Sequence, residues 1–528
     1  MKKTGVFLGF QPGSNLSTEG IGRLLAFILK ENDEKKTNII LFCPKWLTNS
    51  VQILLKDNKI PEDRFEIVST SNIPLGVKVK NYLIERRIKK ARFDQKNQLI
   101  KKLKKTTLES LRKLAIDFFS ANSLLIVLFK ILGYMSLFVC LLPFLLMAGA
   151  GYFFVKFINL LVRILIKQLP YNSILNKIKP LLTNGRGAIY QVVLDNELNR
   201  VVDLINKRTD IDVCFIPSMI WSQIRRLNCR KILAAPDIVF YDFPTQFPGV
   251  GRVHERIRES IAVADHLICY SEHVKKHHLI DKCGVDPNKI TVIKHANIDM
   301  NEHLKISKSI QKFFTIKQNA KQIVNEYIYS NFSSSHVLYN VDFEDLDFVI
   351  YSSQYRSHKN VFNLIKAIKI INNDMHGNIK LILTGDYRRE EAIKEYVHSN
   401  NLENDIFVMH NISSELLAAL NKLAKCSVNP TLFEGGFPFT FSESYSVGTP
   451  SVMSNIPVVS SEIDDPNLKD LMLFDPYNPY SIAEKIVWAI DNAQTLFDAQ
   501  DKLYQKFSQR DWKKVVSEYN EVFNKAAR

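Results

Sequence analysis

Two parallel α/β sheets, each doubly wound with helices on both faces, are what the sequence predicts, and three observations predict them. Apolar runs of five to seven residues alternate with helical stretches, the pattern of strands buried on both sides. The alternation occurs twice, over residues 4–296 and again from 347 onward. Between the two series lies a polar, Lys-rich and partly helical stretch, 302–345, with a serine cluster at 333–335, which reads as an elaborated linker. A chain of 528 residues, 46% apolar and 23% charged, is long enough for large buried cores, and this balance excludes wholesale disorder or a fibrous repeat.

The first series opens with TGVFLGF (4–10), a helix over 18–32, TNIILFCP (37–44) and FEIVST (65–70). It resumes with IDVCFIP (211–217), KILAAPD (231–237), a helix near 251–264, HLICYS (266–271) and ITVIKHA (290–296). These strands make a first domain of residues 1–300, interrupted by 75–190, and residues 301–345 link it to a second domain, 346–500. The second series runs DFVIYSS (347–353), a helix from about 359, IKLILTGD (379–386), IFVMHN (406–411), CSVNP (426–430), PSVMSN (450–455) and LMLFDP (471–476). Two such domains set the carboxyl ends of their strands beside an interdomain cleft, where ligands of doubly wound sheets bind.

The interruption has a different chemistry. The net charge of +16 suits nucleic acid, acidic lipid or a phosphorylated substrate, and its location decides among them. Between Arg86 and Lys113, twelve Lys/Arg face only Asp94 and Glu109. Directly downstream, residues 131–155 are 25 consecutive uncharged positions between Lys130 and Lys156. A basic segment beside a greasy one favours a membrane over nucleic acid. Strands lie both before and after the interruption, so its flanks share one side of the bilayer and it crosses an even number of times or not at all. Two crossings need about 20 residues each. Residues 121–142 and 144–166, with Pro143 at the bend, nearly suffice, but Lys130, Lys156 and Arg163 would need to snorkel. A shallow re-entrant hairpin fits better. Upstream, Ile100, Leu103, Leu111, Leu114 and Phe118 form one apolar stripe on a Lys-rich helix suited to an anionic interface. A buried hairpin with a solvated basic face is the other reading. The seven cysteines are scattered and never in C-x-x-C spacing, which fits a reducing compartment. Met1-Lys2-Lys3 leads into VFLGF, too short for a signal-peptide core, so no export is expected.

The densest chemistry is Asn429-Pro-Thr-Leu-Phe-Glu434-Gly435-Gly436-Phe437-Pro438-Phe-Thr-Phe-Ser-Glu443, followed by Gly448-Thr449-Pro450. A strand ends at Pro430, two glycines permit close backbone approach, and a helix begins near Pro438. Amides at that helix start could hold a phosphate or sugar oxygen, and a carboxylate such as Glu443 can accept from both hydroxyls of a ribose or hexose.

Two glutamates flanking a Gly-rich turn, then G-T-P, resemble the donor signature of glycosyltransferase family 4, retaining enzymes of the two-domain GT-B fold. Tyr355-Arg356-Ser-His358-Lys359-Asn360 is similar to the family's Arg/Lys pair, and Thr18-Glu19-Gly20-Ile21-Gly22-Arg23 to its N-terminal glycine loop. Ala264–Glu272 and Ile290–Asp299 resemble the closing section of its first domain. The resemblance covers about 350 residues and omits roughly 75–190 and 302–345.

It implies sugar transfer from a nucleotide-diphosphate sugar to an acceptor hydroxyl. Arg356 and Lys359 would neutralise the departing diphosphate, Glu434 would hold the donor sugar, and Glu443 the ribose. Gly20, Gly22, Gly435, Gly436 and Phe437 would line the donor, and residues 501–528 would form a C-terminal helix returning to the first domain. There are two departures. Glu434 and Glu443 stand one residue further apart than the family spacing, and where many relatives carry His-Asp this chain has Pro236-Asp237, then Tyr241-Asp242. Asp237 and Asp242 are candidates to stand near the anomeric carbon, while His295 and His358 read as packing or surface residues. No metal-ligand spacing is visible, and cationic side chains can serve a diphosphate, so neither metal nor cofactor is expected. The acceptor is expected to be a lipid-linked glycan in cell-surface polysaccharide synthesis, at the cytoplasmic face of the cell membrane, with the protein monotopic or peripheral and no nucleic acid bound. A catalytically silent membrane adaptor, or a sugar-nucleotide epimerase or phosphorylase on the same fold, are the competing readings.

Overall fold

The computed structural model describes residues 3–18, 20–32, 39–82, 84–85, 190–236, 238–246, 250–305 and 315–527. The chain divides into two units, one of Met1–Ser71 with Leu198–Arg528 and one of Asn72–Glu197.

The first unit holds two sheets. Strands β1 (Lys3–Phe7), β2 (Ile39–Cys43), β3 (Glu66–Ser69), β4 (Ile211–Ile216), β5 (Arg230–Ala234), β6 (His266–Cys269) and β7 (Ile290–Val292) pair in the order β3-β2-β1-β4-β5-β6-β7. Every pairing is parallel, and Val6 of β1 stands beside Leu41 of β2 and Phe215 of β4. All five residues of β2, IILFC, are buried, which is why the strand reads as an unbroken apolar run. Strands β8 (Phe348–Tyr351), β9 (Lys380–Leu383), β10 (Ile406–Val408), β11 (Cys426–Asn429), β12 (Ser451–Ser454) and β13 (Leu473–Phe474) form the second sheet, in the order β10-β9-β8-β11-β12-β13. Strand order reverses once in each sheet, between β1 and β4 and between β8 and β11. A crevice opens outside the carboxyl ends of the strands at such a reversal.

Two expectations need correction here. The stretch 302–345 is more than a linker: its helix Ile316–Asn331 belongs to the covering layer of the second sheet. A capping box starts that helix, with Gln318 N donating to Thr315 Oγ1 and Thr315 N donating to Gln318 Oε1. Ala320, Val324 and Ile328, spaced four residues apart, bury one stripe against Ile350, Ile382 and the helix Ser414–Leu423. Lys317, Gln318, Asn319, Lys321, Gln322 and Asn325 fill much of the rest of the helix, so composition alone hides the packing.

The single helix expected over 501–528 is instead two. Ala493–Ser508 stays with the second sheet, where Leu496 and Leu503 join the core. Trp512–Ala527 places Val515, Val516, Tyr519 and Phe523 in the core of the first sheet. The chain crosses between sheets at 509–511, beside its earlier crossing near 297–300. Asn297 Nδ2 donates to Tyr504 O and Ser508 Oγ, Trp512 Nε1 donates to Asn297 O, and Arg510 Nε donates to Lys294 O. Ile298 N and Met300 N donate to Ser442 Oγ and Ser446 Oγ, each at 3.0 Å.

In the second unit, residues 75–82 and 190–197 are helical, Gly76 faces Val193, and the Lys80 ammonium lies 3.7 Å from the centre of the Tyr190 ring. The basic segment 86–113 and the hairpin expected within 121–168 lie outside the described residues. Among the described residues no helix is long and apolar enough to cross a membrane.

Candidate active site

The loops after β8 and β11 meet at the reversal of the second sheet. After β8 the chain makes a short turn, Ser357–Lys359, ended by Asn360 in the left-handed region at φ 56°. Asn360 Nδ2 donates to Pro430 O at 3.0 Å and Pro476 O at 2.7 Å, and Leu432 N donates to His358 O at 2.8 Å. The lysine-bearing turn is thereby stitched to the segment that follows β11. Lys359 Nζ then reaches Glu434 Oε1 at 2.5 Å, with both side chains less than one-fifth exposed. Arg356 precedes the turn and is exposed.

Electrostatics around this pair are visible in its neighbours. Burial, then the positive charges of Lys359 and Arg356, push the His358 imidazole down to about 3, so the ring is neutral. Burial, then the Glu434 carboxylate, raise the Tyr351 phenol.

Beyond Glu434, the turn enters the helix Phe439–Ser446 with Pro438 at its N-cap and no side-chain cap bond. Glu443 lies inside that helix, 2% exposed, and its Oε1 accepts from Arg23 Nη2 at 2.5 Å. Arg23 comes from the helix Gly20–Glu31, which follows β1 of the first sheet. Both predicted donor carboxylates are therefore ion-paired, one to a predicted phosphate cation and one to an arginine of the opposite domain. In the sequence Arg23 belongs only to a glycine motif; its partner is 420 positions away, so no local pattern connects them.

The glycines answer to packing. A Cβ on Gly436 would stand 3.0 Å from the Tyr270 Cβ, and Gly435 O accepts from Ser271 Oγ at 2.9 Å. The missing Cβ of Gly436 lets the second domain lie directly on the first, and the Gly435 carbonyl adds a hydrogen bond across the same contact. A Cβ on Gly22 would fall 1.9 Å from Leu16 O, so that glycine is required by its own loop, whereas Gly20 faces open space. Phe437 packs into the second core, edge-on to Phe441 at 5.6 Å.

Asp237 lies outside the described residues. Asp242 accepts from His278 Nε2 at 2.9 Å and pairs with Lys282. Burial works against its charge, but His278 and Lys282 prevail and hold the carboxyl down at about 2. The His278 ring stacks in parallel on Phe433, with centroids 5.2 Å apart, next to Glu434 in sequence. His278 was missed because nothing in its local sequence distinguishes it from the neighbouring His273 and His277. His295 is packed between Tyr270 and Phe439, and burial, then Arg510, push it down to about 3. A small cavity beside the glycine-rich turn is lined by Tyr270, Asn297, Pro438 and Ser442 together with the ion pair Lys294–Glu462. Among the described residues no cluster of His, Cys, Asp and Glu could hold a metal ion.

Residues 340–510 match the family model of glycosyl transferases group 1, which spans the second sheet, Arg356, Lys359 and both glutamates. No curated protein matches the chain. Among solved structures the chain is similar to Anabaena Alr3699/HepE in complex with UDP and glucose, at 12% identity and TM-score 0.56, covering 99% of this chain and 100% of that one. The same protein in complex with UDP gives 12% identity and TM-score 0.52 at the same coverage. At that identity the likeness concerns the fold, a GT-B-like pair of parallel α/β domains. Carrying a glycosyl transferases group 1 domain over residues 340–510 on that fold, the chain is a glycosyltransferase.

Proposed function

We propose that the chain moves a sugar from a nucleotide-diphosphate sugar to an acceptor hydroxyl with retention at the anomeric carbon. The observation that carries this is the Lys359–Glu434 pair, held at 2.5 Å by loops that meet where strand order reverses. A cation and a carboxylate side by side at that position match the two ends of the scissile bond. Lys359, with Arg356, would neutralise the departing diphosphate, and Glu434 would accept from hydroxyls of the transferred sugar. Glu443 would take the ribose, and Gly20 leaves room at the mouth of the first domain. Two cationic side chains serve the diphosphate, so the proposed reaction uses no metal or cofactor. Asp237 or Asp242 would stand near the anomeric carbon, in the place of the family's histidine.

The acceptor proposed is a lipid-linked glycan in cell-surface polysaccharide synthesis, at the cytoplasmic face of the membrane. Its support is compositional: the twelve Lys/Arg between 86 and 113 beside the 25 uncharged residues 131–155 suit docking on an anionic leaflet. The experiment is a calorimetric screen of nucleotide sugars, uridine diphosphate sugars first because the Anabaena structures carry UDP. It is followed by detection of nucleotide release on adding membrane extract. Binding with release supports transfer; binding without release returns the chain to the adaptor reading.

A further inference from the structure

We propose that Arg23 is a donor-binding residue contributed by the first domain and held in reserve by Glu443 until the nucleotide arrives. The inference rests on the donor-site reading above.

A carboxylate only 2% exposed needs a compensating partner, and Glu443 finds it in Arg23 at 2.5 Å. Arg23 is 32% exposed, so its guanidinium stays in reach of a ligand entering from solvent. It also lies 5.8 Å from the Phe439 ring, the first residue of the helix whose N-cap has no side-chain bond. The cation thus lies beside the first turn of the helix, between Phe439 and Glu443. Space exists beside it, because a Cβ on Gly20 would meet no atom within 4 Å.

Two hydroxyls of a ribose can replace Arg23 at the Glu443 carboxylate, each donating one hydrogen bond. The released guanidinium then has the fork geometry to donate to two oxygens of the diphosphate. Each charged group keeps a hydrogen-bond partner before and after: Glu443 exchanges a guanidinium for two hydroxyl donors, and Arg23 exchanges a carboxylate for diphosphate oxygens. Lys359 stands in the same relation to Glu434 on the other side of the turn. Each of the two carboxylates is therefore neutralised by a cation of the protein itself, and the donor would exchange both pairs.

The exchange predicts opposite responses from two parts of the ligand. A nucleoside without phosphates must compete with Arg23 for Glu443 and receives nothing in return. A nucleoside diphosphate competes in the same way but recovers the guanidinium. Calorimetry with the diphosphates of uridine, adenosine, guanosine, cytidine and thymidine, each beside its nucleoside, reads both on wild type and Arg23→Ala. The expected result is diphosphate affinity lowered about tenfold or more, with nucleoside affinity unchanged or tighter. Equal weakening of both would show that Arg23 only supports the fold, and no change in either would show that the pair is incidental; each overturns the inference alone. Wild type that binds none of the five diphosphates overturns the donor-site reading and this inference with it. If Arg23→Ala does not fold, Arg23→Lys keeps the ion pair but loses the fork, and undiminished diphosphate affinity in that variant counts against the proposal.

Discussion

Replacing Lys359 by alanine tests the central pair of the site. In the resting protein Lys359 neutralises a Glu434 that is 18% exposed, and in the reaction it is assigned to the departing diphosphate. Its catalytic effect is therefore a difference: the attraction to the leaving group less the attraction to Glu434 that is given up. A preorganised electrostatic donor is worth about 2.7–4 kcal/mol, or 10²–10³ in turnover. The exchange with Glu434 places Lys359 at the lower end, so Lys359→Ala should lower kcat about 10²-fold, or about 2.7 kcal/mol. The same change strands Glu434 in a half-closed site, at a cost of about 1–3 kcal/mol in stability. Lys359→Arg keeps the charge and should retain most of the stability while losing part of the rate. Steady-state nucleotide release, measured beside a thermal melt, separates the two effects. A Lys359→Ala variant that melts lower yet turns over at near wild-type rate would remove Lys359 from the chemistry and leave it a structural partner of Glu434.

Three further outcomes are expected. Glu443→Gln should weaken nucleotide binding about tenfold while the circular dichroism spectrum is preserved; unchanged affinity would make the Arg23–Glu443 pair purely structural. Burial holds His295 and His358 at about 3 against an ordinary 6.5, so their contribution is complete above about pH 6.5 and drains as the pH falls toward 3. Each ring should add about 1.4 kcal/mol per pH unit to the acid slope of stability, and His295→Phe should flatten denaturant midpoints measured between pH 7 and 5. Replacing residues 121–168 with a short Gly/Ser bridge should release the protein from membranes and abolish transfer to a lipid-linked acceptor while donor binding persists. A replacement protein that still sediments with membranes would return 121–168 to the buried-hairpin reading.

What could be read in the sequence follows from how much a segment buries. Central parallel strands such as Ile39–Cys43 and Phe348–Tyr351 are covered on both faces, so they stand out as apolar runs. The helix Ile316–Asn331 buries only Ala320, Val324 and Ile328, and its many amides and lysines dominate the composition. At the candidate site, Glu434, Glu443, Arg356 and Lys359 stand out in the sequence because each lies in a short segment that follows a strand, β8 or β11. Arg23, Tyr270, Ser271 and His278 were not, because each meets the glycine-rich segment or its helix across the cleft from the other domain. Pairings of that kind depend on how two sheets face each other. The break at Arg510 was hidden for another reason: two helices in succession read as one when the separating residues are neither Gly nor Pro.

The two crossings of the polypeptide between its sheets, fastened to each other through Asn297, Arg510 and Trp512, bear on how the cleft can move. Two straps lying side by side would limit any relative motion of the sheets to a swing about one axis, like a door on its hinge, because twisting or sliding would break the hydrogen bonds that join the straps. The Arg23–Glu443 and Ser271–Gly435 contacts then act as catches on the free edge of the door. Loosening the hinge, for example with Asn297→Ala, would leave each leaf folded and its catches intact while adding directions of motion that bring the edges together out of register.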